Sequence, residues 1–327
     1  MIRHPLLILM KKLITFIFLI IFSSSCIFKQ RKESNAKAPL QLQSLSIGIM
    51  PSMDYIPFAV ARQAGIYDSL GLSVNFNVYY SAEERDLAFH RGLEDGIITD
   101  IPCAILQQNR YDNGKIIMQT DGYYSFIAKK TAKSISSLKN DNIAVSHNTA
   151  LDFLTGIAMQ EAHVMTHVNK PEINKITMRL TTLLDNKNKF ITAAFLPDPA
   201  ATIALKTGKM NQLINSDQMG YHLNVFMVSK EALTNKRYEI QTLIKGYNLA
   251  IAYIKAHPRK IWDKNILYQL NIDKKTAQSI DIPHYLKATL PSERDIRLSR
   301  IWLRAKGMLS PQSNTYHLID STFCTDH

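Results

Sequence analysis

Polar side chains follow apolar runs at four places in the chain, and at each place their types suit the holding of a small molecule. Ser52, Met53, Asp54 and Tyr55 follow residues 45 to 50. Asp100 ends the run 95 to 99, and Ser146, His147, Asn148 and Thr149 follow 143 to 145. Phe195 and Asp198 close the run 192 to 196. Hydroxyl, amide and backbone donors at a helix start receive an anionic or carbonyl group. The aromatic rings of Tyr55, Tyr79, Tyr123 and Phe195 can stack on a flat ligand, or equally fill a core. Ser52, Asp54, Asp100 and Asp198 can accept from a ligand, or cap a helix and complement its dipole. The candidate ligand-binding set is therefore Ser52, Met53, Asp54, Tyr55, Tyr79, Asp100, Tyr123, Ser146, Asn148, Thr149, Phe195 and Asp198. Three carboxylates and several aromatics suit a ring bearing amino groups, pyrimidine-like or another amine-bearing heterocycle. A buried, unpaired carboxylate opposes an anion.

Catalytic patterns are absent from the sequence. No Ser, His and Asp stand at elbow spacing, and there is no phosphate loop. His163 and His167 lie four apart, a spacing compatible with a metal if both sit on one helix face. Glu161 does not lie between them and further ligands are not evident, so no metal and no cofactor are expected. The three cysteines, Cys26, Cys103 and Cys324, have neither zinc-ligand nor redox spacing. Cys103 and Cys324 could pair in an oxidising compartment, although sequence separation does not establish a bridge.

The elements that must position these residues read as alternating strands and helices. A strand over 45 to 50 precedes a helix over 54 to 64 that Ser52 can cap and Gly65 stops. Val74, Phe76 and Val78 alternate along a strand over 72 to 80. Ser81 and Glu84 form a capping box for a helix ending at Gly92. A strand over 95 to 99 leads to Asp100 and a helix opened by Pro102. Strands are expected at 115 to 119, 123 to 129, 143 to 145, 176 to 180, 192 to 196 and 223 to 228. Helices are expected from 148 or 149 to 163, over 183 to 190, 238 to 255 and 260 to 270, and from 291 to 307. This order predicts an α/β fold of two doubly wound lobes built on parallel sheets, with ligand loops at the carboxyl ends of strands.

At 327 residues the chain is long enough for two lobes. Its formal charge of +12 is dispersed. Arg3, Lys11 and Lys12 carry part of it, and the stretch KQRKESNAK over 29 to 37 carries another part. No basic stripe or aromatic interleaving points to nucleic acid. Residues 10 to 26, MKKLITFIFLIIFSSSC, have a positive start, an apolar run of membrane-signal type and small residues before a cysteine. They read as an export signal over 1 to 25, with Met10 a better start than Met1. Cys26 is then the lipidated mature terminus, and 26 to 43 a flexible tether. Basic residues beside a lipid anchor favour an anionic membrane surface.

The stretches IGIMPSMDYIPFAVARQAGIYDSLGLSV, ERDLAFHRGLEDGIITD, IAVSHNTALDFL, ITAAFLPDPAATIAL and IPHYLKATLPSERDIRLSRIWLRAKGML resemble, in order and spacing, the type II periplasmic solute-binding proteins of ABC importers. Within them the resemblance is to the nitrate, sulfonate, taurine and thiamine-pyrimidine-precursor branch. It spans most of residues 45 to 309. It implies two α/β lobes joined by two crossing strands, near 124 to 129 and 223 to 228. Lobe one would comprise 44 to 124 plus 226 to 327, and lobe two 125 to 225. It also implies a monomeric, exported, lipid-anchored receptor on the periplasmic side of a bacterial envelope. The receptor would take a small solute and hand it to an ABC permease with its ATPase subunits, without being an enzyme. Asp198-Pro199 resembles the family's acidic residue before proline, with Asp for the commoner Glu. An enzyme related to thiamine pyrimidine synthases is the alternative, but their cysteine-rich iron motif is missing. A sensor-type ligand-binding protein is a further one.

Overall fold

The computed structural model describes residues 42 to 327, apart from 186, 188–189, 264–265, 267–272, 314–316 and 325–327. The expected export signal, Cys26 and most of the tether lie outside the described residues. No helix among those described is long and apolar enough to cross a membrane.

Two mixed sheets carry the fold. The first has strands β1 (Leu45–Ile49), β2 (Val74–Val78), β3 (Gly96–Asp100) and β4 (Gly114–Gln119). The second has β5 (Tyr124–Lys129), β6 (Ile143–Ala144), β7 (Ala193–Pro197) and β8 (Met210–Asn215). The chain then returns to the first sheet as β9 (Asn224–Ser229), giving the orders β2-β1-β3-β9-β4 and β6-β7-β5-β8. β1 is parallel to β2 and β3, and β6 to β7. β9 runs antiparallel to β3 and β4, and β5 antiparallel to β7 and β8. The sheets are thus parallel only in part. The two strands expected to cross, β5 and β9, are the ones that reverse direction. A strand arriving from the other sheet has no helical crossover to turn it round, and antiparallel pairing needs none.

Helices α1 (Ile56–Gln63), α2 (Ala82–His90) and α3 (Ile101–Tyr111) connect the first sheet. α4 (Ala150–Glu161), α5 (Ile176–Leu184) and α6 (Ala200–Lys206) belong to the second. α7 (Arg237–Ala256) and α8 (Glu293–Ala305) follow β9. Ser81 caps α2 by accepting from the Glu84 N–H at 3.2 Å, as its sequence signature requires. Ser52 does not cap the first helix, because its hydroxyl is turned to Met50 O and to the Asp54 carboxylate. The strand expected over 176 to 180 is α5: three of its residues, Ile176, Arg179 and Leu183, are buried at helical spacing. Of the helix expected over 183 to 190, only Leu183 and Leu184 belong to that element, which ends before Asp185. Only Arg259–Trp262 of the helix expected over 260 to 270 is described as such, and most of the rest lies outside the described residues.

Phe58 of α1 anchors the core on one face of the first sheet, its ring 4.8 Å from Tyr247 of α7 and 5.5 Å from Phe226 of β9. Side chains buried to this degree contribute about 1.5–3 kcal/mol each. α7 approaches so closely that a Cβ at Gly246 would run into the ring of Tyr67. A second core joins α3, α4 and α8. Its members include Ile105, Phe153, Ile296 and Leu303, and Trp302 of α8 meets Phe153 of α4 edge-on at 5.5 Å. α8 therefore touches helices of both sheets. It begins with Glu293 and Asp295 and ends with Arg304, the polarity its dipole favours.

Candidate functional site

A cavity of about 50 Å³ lies between the two sheets. From the first come Met50, Ser52 and Asp54 after β1, Ala82 and Arg85 of α2, and Ile98, Thr99 and Asp100 of β3. The facing wall has Tyr124 at the start of β5, Ser146, Thr149 and Leu151 at the start of α4, Asn174, Ile176 and Arg179 around α5, and Pro197 ending β7. β1, β3 and β7 thus meet the cavity at their carboxyl ends, where an open α/β sheet binds ligands.

Most charges in this lining are already matched. Asp54 is buried; it bonds the Ser52 hydroxyl through Oδ1 and accepts from Asn224 Nδ2 at 2.9 Å. Burial nevertheless pushes its pKa up to about 6, against these two bonds and the nearby Arg85 charge. Arg85 donates to Asp86 Oδ1 from Nε and Nη2 at 2.9 and 2.7 Å, and from Nη1 to Ile98 O at 3.2 Å. Asp100 accepts from the Cys103 N–H of its own helix at 2.9 Å. Burial raises its pKa too. Arg179 differs. It is 1% exposed, donates only from Nη1, to Ile173 O at 2.6 Å and Asn174 O at 3.0 Å, and its buried Nε has no partner. Among the described residues no carboxylate pairs with it, and burial lowers its pKa to about 10. The buried Thr99 hydroxyl is likewise unpartnered.

Further contacts hold the walls together. The Ile176 N–H donates to Tyr80 O at 3.2 Å, Asn174 Nδ2 to Glu83 Oε2 at 3.2 Å, and Lys175 pairs with Glu84 at 3.0 Å. Ser146 donates to Asn174 Oδ1 at 3.2 Å, and Thr149 caps α4 by accepting from the Leu151 N–H.

Of the twelve candidates, the structure brings Ser52, Asp54, Asp100, Ser146 and Thr149 together in this lining. Asn148 has φ +63°, gives its N–H to Asp152 Oδ2 and lines a neighbouring groove with His147 and Glu172. The other six lie elsewhere. Tyr55 is buried with its ring 5.1 Å from Phe76, and its hydroxyl accepts from Arg62. Phe195 is 1% exposed and stacks on Phe126 at 4.5 Å, so it offers no face to a ligand. Met53 is buried, and its carbonyl accepts from the Tyr285 hydroxyl. Tyr79 donates to Glu94 at 2.6 Å. Asp198 takes the N–H and hydroxyl of Thr202 at 2.9 and 2.7 Å, the capping role weighed against ligand contact, and Tyr123 lies half-buried near it. Arg85, Thr99, Tyr124, Asn174 and Arg179 were not singled out from the sequence. For Arg179 the signal was there in the i, i+3, i+7 set Ile176, Arg179 and Leu183, which a strand reading conceals.

α4 ends at Glu161, so His163, at φ +59°, and His167 share no helix face. The described residues contain no group of three or more His, Cys, Asp or Glu placed to hold a metal. Cys103 and Cys324 are free thiols.

No protein-family model matches the chain, and no curated protein does. Solved structures do. A ligand-binding component of an ABC-type import system from Staphylococcus aureus, with zinc bound, superposes with a TM-score of 0.73 at 15% identity, over 86% of this chain and 97% of that one. The alkanesulfonate-binding protein SsuA from Xanthomonas axonopodis pv. citri, bound to MOPS, gives 0.69 at 12% identity, over 85% and 98%. A Candida albicans gene product with the generic periplasmic binding protein fold gives 0.69 at 13%, over 86% and 97%. The chain therefore has the periplasmic binding protein fold, and solute-binding proteins of ABC importers are among its structural neighbours.

Proposed function

We propose that this chain is the solute-capturing component of an ABC importer. The observation that carries the proposal is the cavity itself: strand ends from two sheets meet around it, and hydrogen bonds from residues 174–176 to residues 80–83 join its walls. That is the arrangement of a clamp. Residues 44 to 124 with 226 to 327 form one jaw and 125 to 225 the other, and solute shifts the balance between open and shut forms. The import and sulfonate-binding roles of the structural neighbours support the reading. The proposal includes export, a lipid on Cys26 holding a monomer at the periplasmic side of a bacterial envelope, and delivery to a permease with ATPase subunits. Binding without turnover is part of it.

The amine-bearing heterocycle expected from the sequence rested on three carboxylates. Asp198 is outside the lining, and Asp54 and Asp100 are engaged within the protein, so the solute must be read from other groups. Native mass spectrometry of the full chain extracted from membranes tests the function. A small solute released on denaturation, and a diacylglyceryl mass on Cys26, are expected. Conversion of that solute on incubation with the protein refutes the receptor reading.

A further inference from the structure

We propose that Arg179 is the counter-ion of a carboxylate on the captured solute, which is then a small carboxylic acid in its ionised form. This rests on the solute-capture reading above. Four charged side chains line the cavity, and three are committed: Asp54 to Ser52 and Asn224, Asp100 to the Cys103 N–H of its own helix, Arg85 to Asp86. Arg179 alone has no charged partner among the described residues, at 1% exposure. A buried charge is retained where something pairs with it. Its two bonds to backbone carbonyls both leave from Nη1 and pin the turn before α5. They account for that nitrogen and leave the buried Nε unexplained.

The geometry of a guanidinium narrows the group it meets. With Nη1 taken, the free edge is the one bearing Nε, where two N–H bonds run parallel and match two oxygens held in one plane. A carboxylate presents two oxygens and turns its carbon substituent away. Nitrate or a sulfonate brings a third oxygen that needs its own donor. Beyond the charge the lining is apolar at Met50, Ile98 and Ile176, with the unpartnered Thr99 hydroxyl as one further polar group. A cavity of about 50 Å³ holds the volume of roughly three or four waters. The body behind the carboxylate is therefore only a few atoms long.

Calorimetry of the full chain at neutral pH, against acetate, propionate, lactate, methanesulfonate, nitrate, ethylamine and cytosine, tests the inference. At least one carboxylate should bind more tightly than methanesulfonate or nitrate. Arg179→Gln should weaken that carboxylate on the order of 100-fold, as loss of one partner of a buried charge pair does, and Arg179→Lys should restore part of it. Without solute, Arg179→Gln should lose some stability with the two bonds that pin the turn before α5, so its fold is checked by circular dichroism and its affinity is compared with that of Arg179→Lys, which keeps the charge. Asp54→Asn, which takes a negative charge out of the same cavity, should tighten carboxylate binding. Cytosine or ethylamine binding with every carboxylate silent, or Arg179→Gln keeping full carboxylate affinity, overturns this inference and leaves the receptor reading standing. Turnover of a carboxylate overturns the receptor reading instead. Silence from the whole panel, together with no solute released from the extracted protein, overturns both.

Discussion

Asp152 offers a direct measure of what ties α4 to α8. Its side chain is fully buried in the first turn of α4. It accepts from Lys170 Nζ at 2.8 Å, from Lys306 Nζ just beyond α8 at 2.5 Å, and from the Asn148 N–H at 3.2 Å. Asp152→Asn keeps the shape and the backbone bond and removes the charge. Breaking a fully buried ion pair costs about 3–5 kcal/mol. Here both lysines are more than a quarter exposed and can rehydrate, so about 2 kcal/mol is expected. For a chain of this size that is a fall in melting temperature of about 3 °C. The pH dependence has a definite sign. Burial alone would raise the Asp152 pKa, but the bonds and charges of Lys170 and Lys306 outweigh it and hold the carboxyl below its ordinary value. A depressed pKa stabilises above the unfolded value of about 3.9 and stops doing so as pH falls through the folded one. Melts followed by circular dichroism should therefore show parent and variant separated at pH 7 and converging as the pH falls below the ordinary carboxylate range. Equal melting temperatures at pH 7, or a gap that persists unchanged in acid, would refute the reasoning.

Asp54 titrates in the opposite sense. Its folded pKa is raised to about 6 by burial, so the native state is penalised above that value, and the penalty disappears as pH falls towards the unfolded pKa. Asp54→Asn should raise stability at pH 7 by on the order of 2 kcal/mol and give no gain near pH 4, which paired thermal melts will show. Asp198→Ala should cost about 1 kcal/mol through loss of its bonds to Thr202 while leaving solute affinity unchanged, a split read by denaturation and calorimetry on one preparation. Gly246→Ala should cost about 1–3 kcal/mol in urea denaturation, since its methyl group would meet the fully buried Tyr67 ring.

The sequence made the first half of the site legible because there period and punctuation agree. Alternation in β2, the Ser81 cap and the Asp100-Ile101-Pro102 helix start all act locally, and they placed Asp54 and Asp100 at strand ends. It failed where the deciding contact lies far along the chain. Whether Phe195 faces a ligand or Phe126 depends on how β5 and β7 pair, and whether Ser52 caps a helix depends on which acceptors its hydroxyl meets. α5 was misread because Ile176, Thr177, Met178, Arg179 and Leu180 suit a strand by composition, and only burial of Ile176, Arg179 and Leu183 settles the period. The reversal of β9 had no signal in its own residues, which are as apolar as those of a parallel strand.

The bonds between the two walls carry one more consequence. The Ile176 N–H is given to Tyr80 O and Asn174 Nδ2 to Glu83, each from one wall to the other. Drawing those walls apart leaves an N–H and a carbonyl that only water can satisfy. Opening is therefore a hydration step, and its equilibrium depends on the activity of water as well as on solute. Sucrose and other excluded osmolytes should favour the shut form with or without solute. A receptor of this build captures more slowly as its surroundings become more concentrated, because the water that must enter before the solute does becomes scarcer.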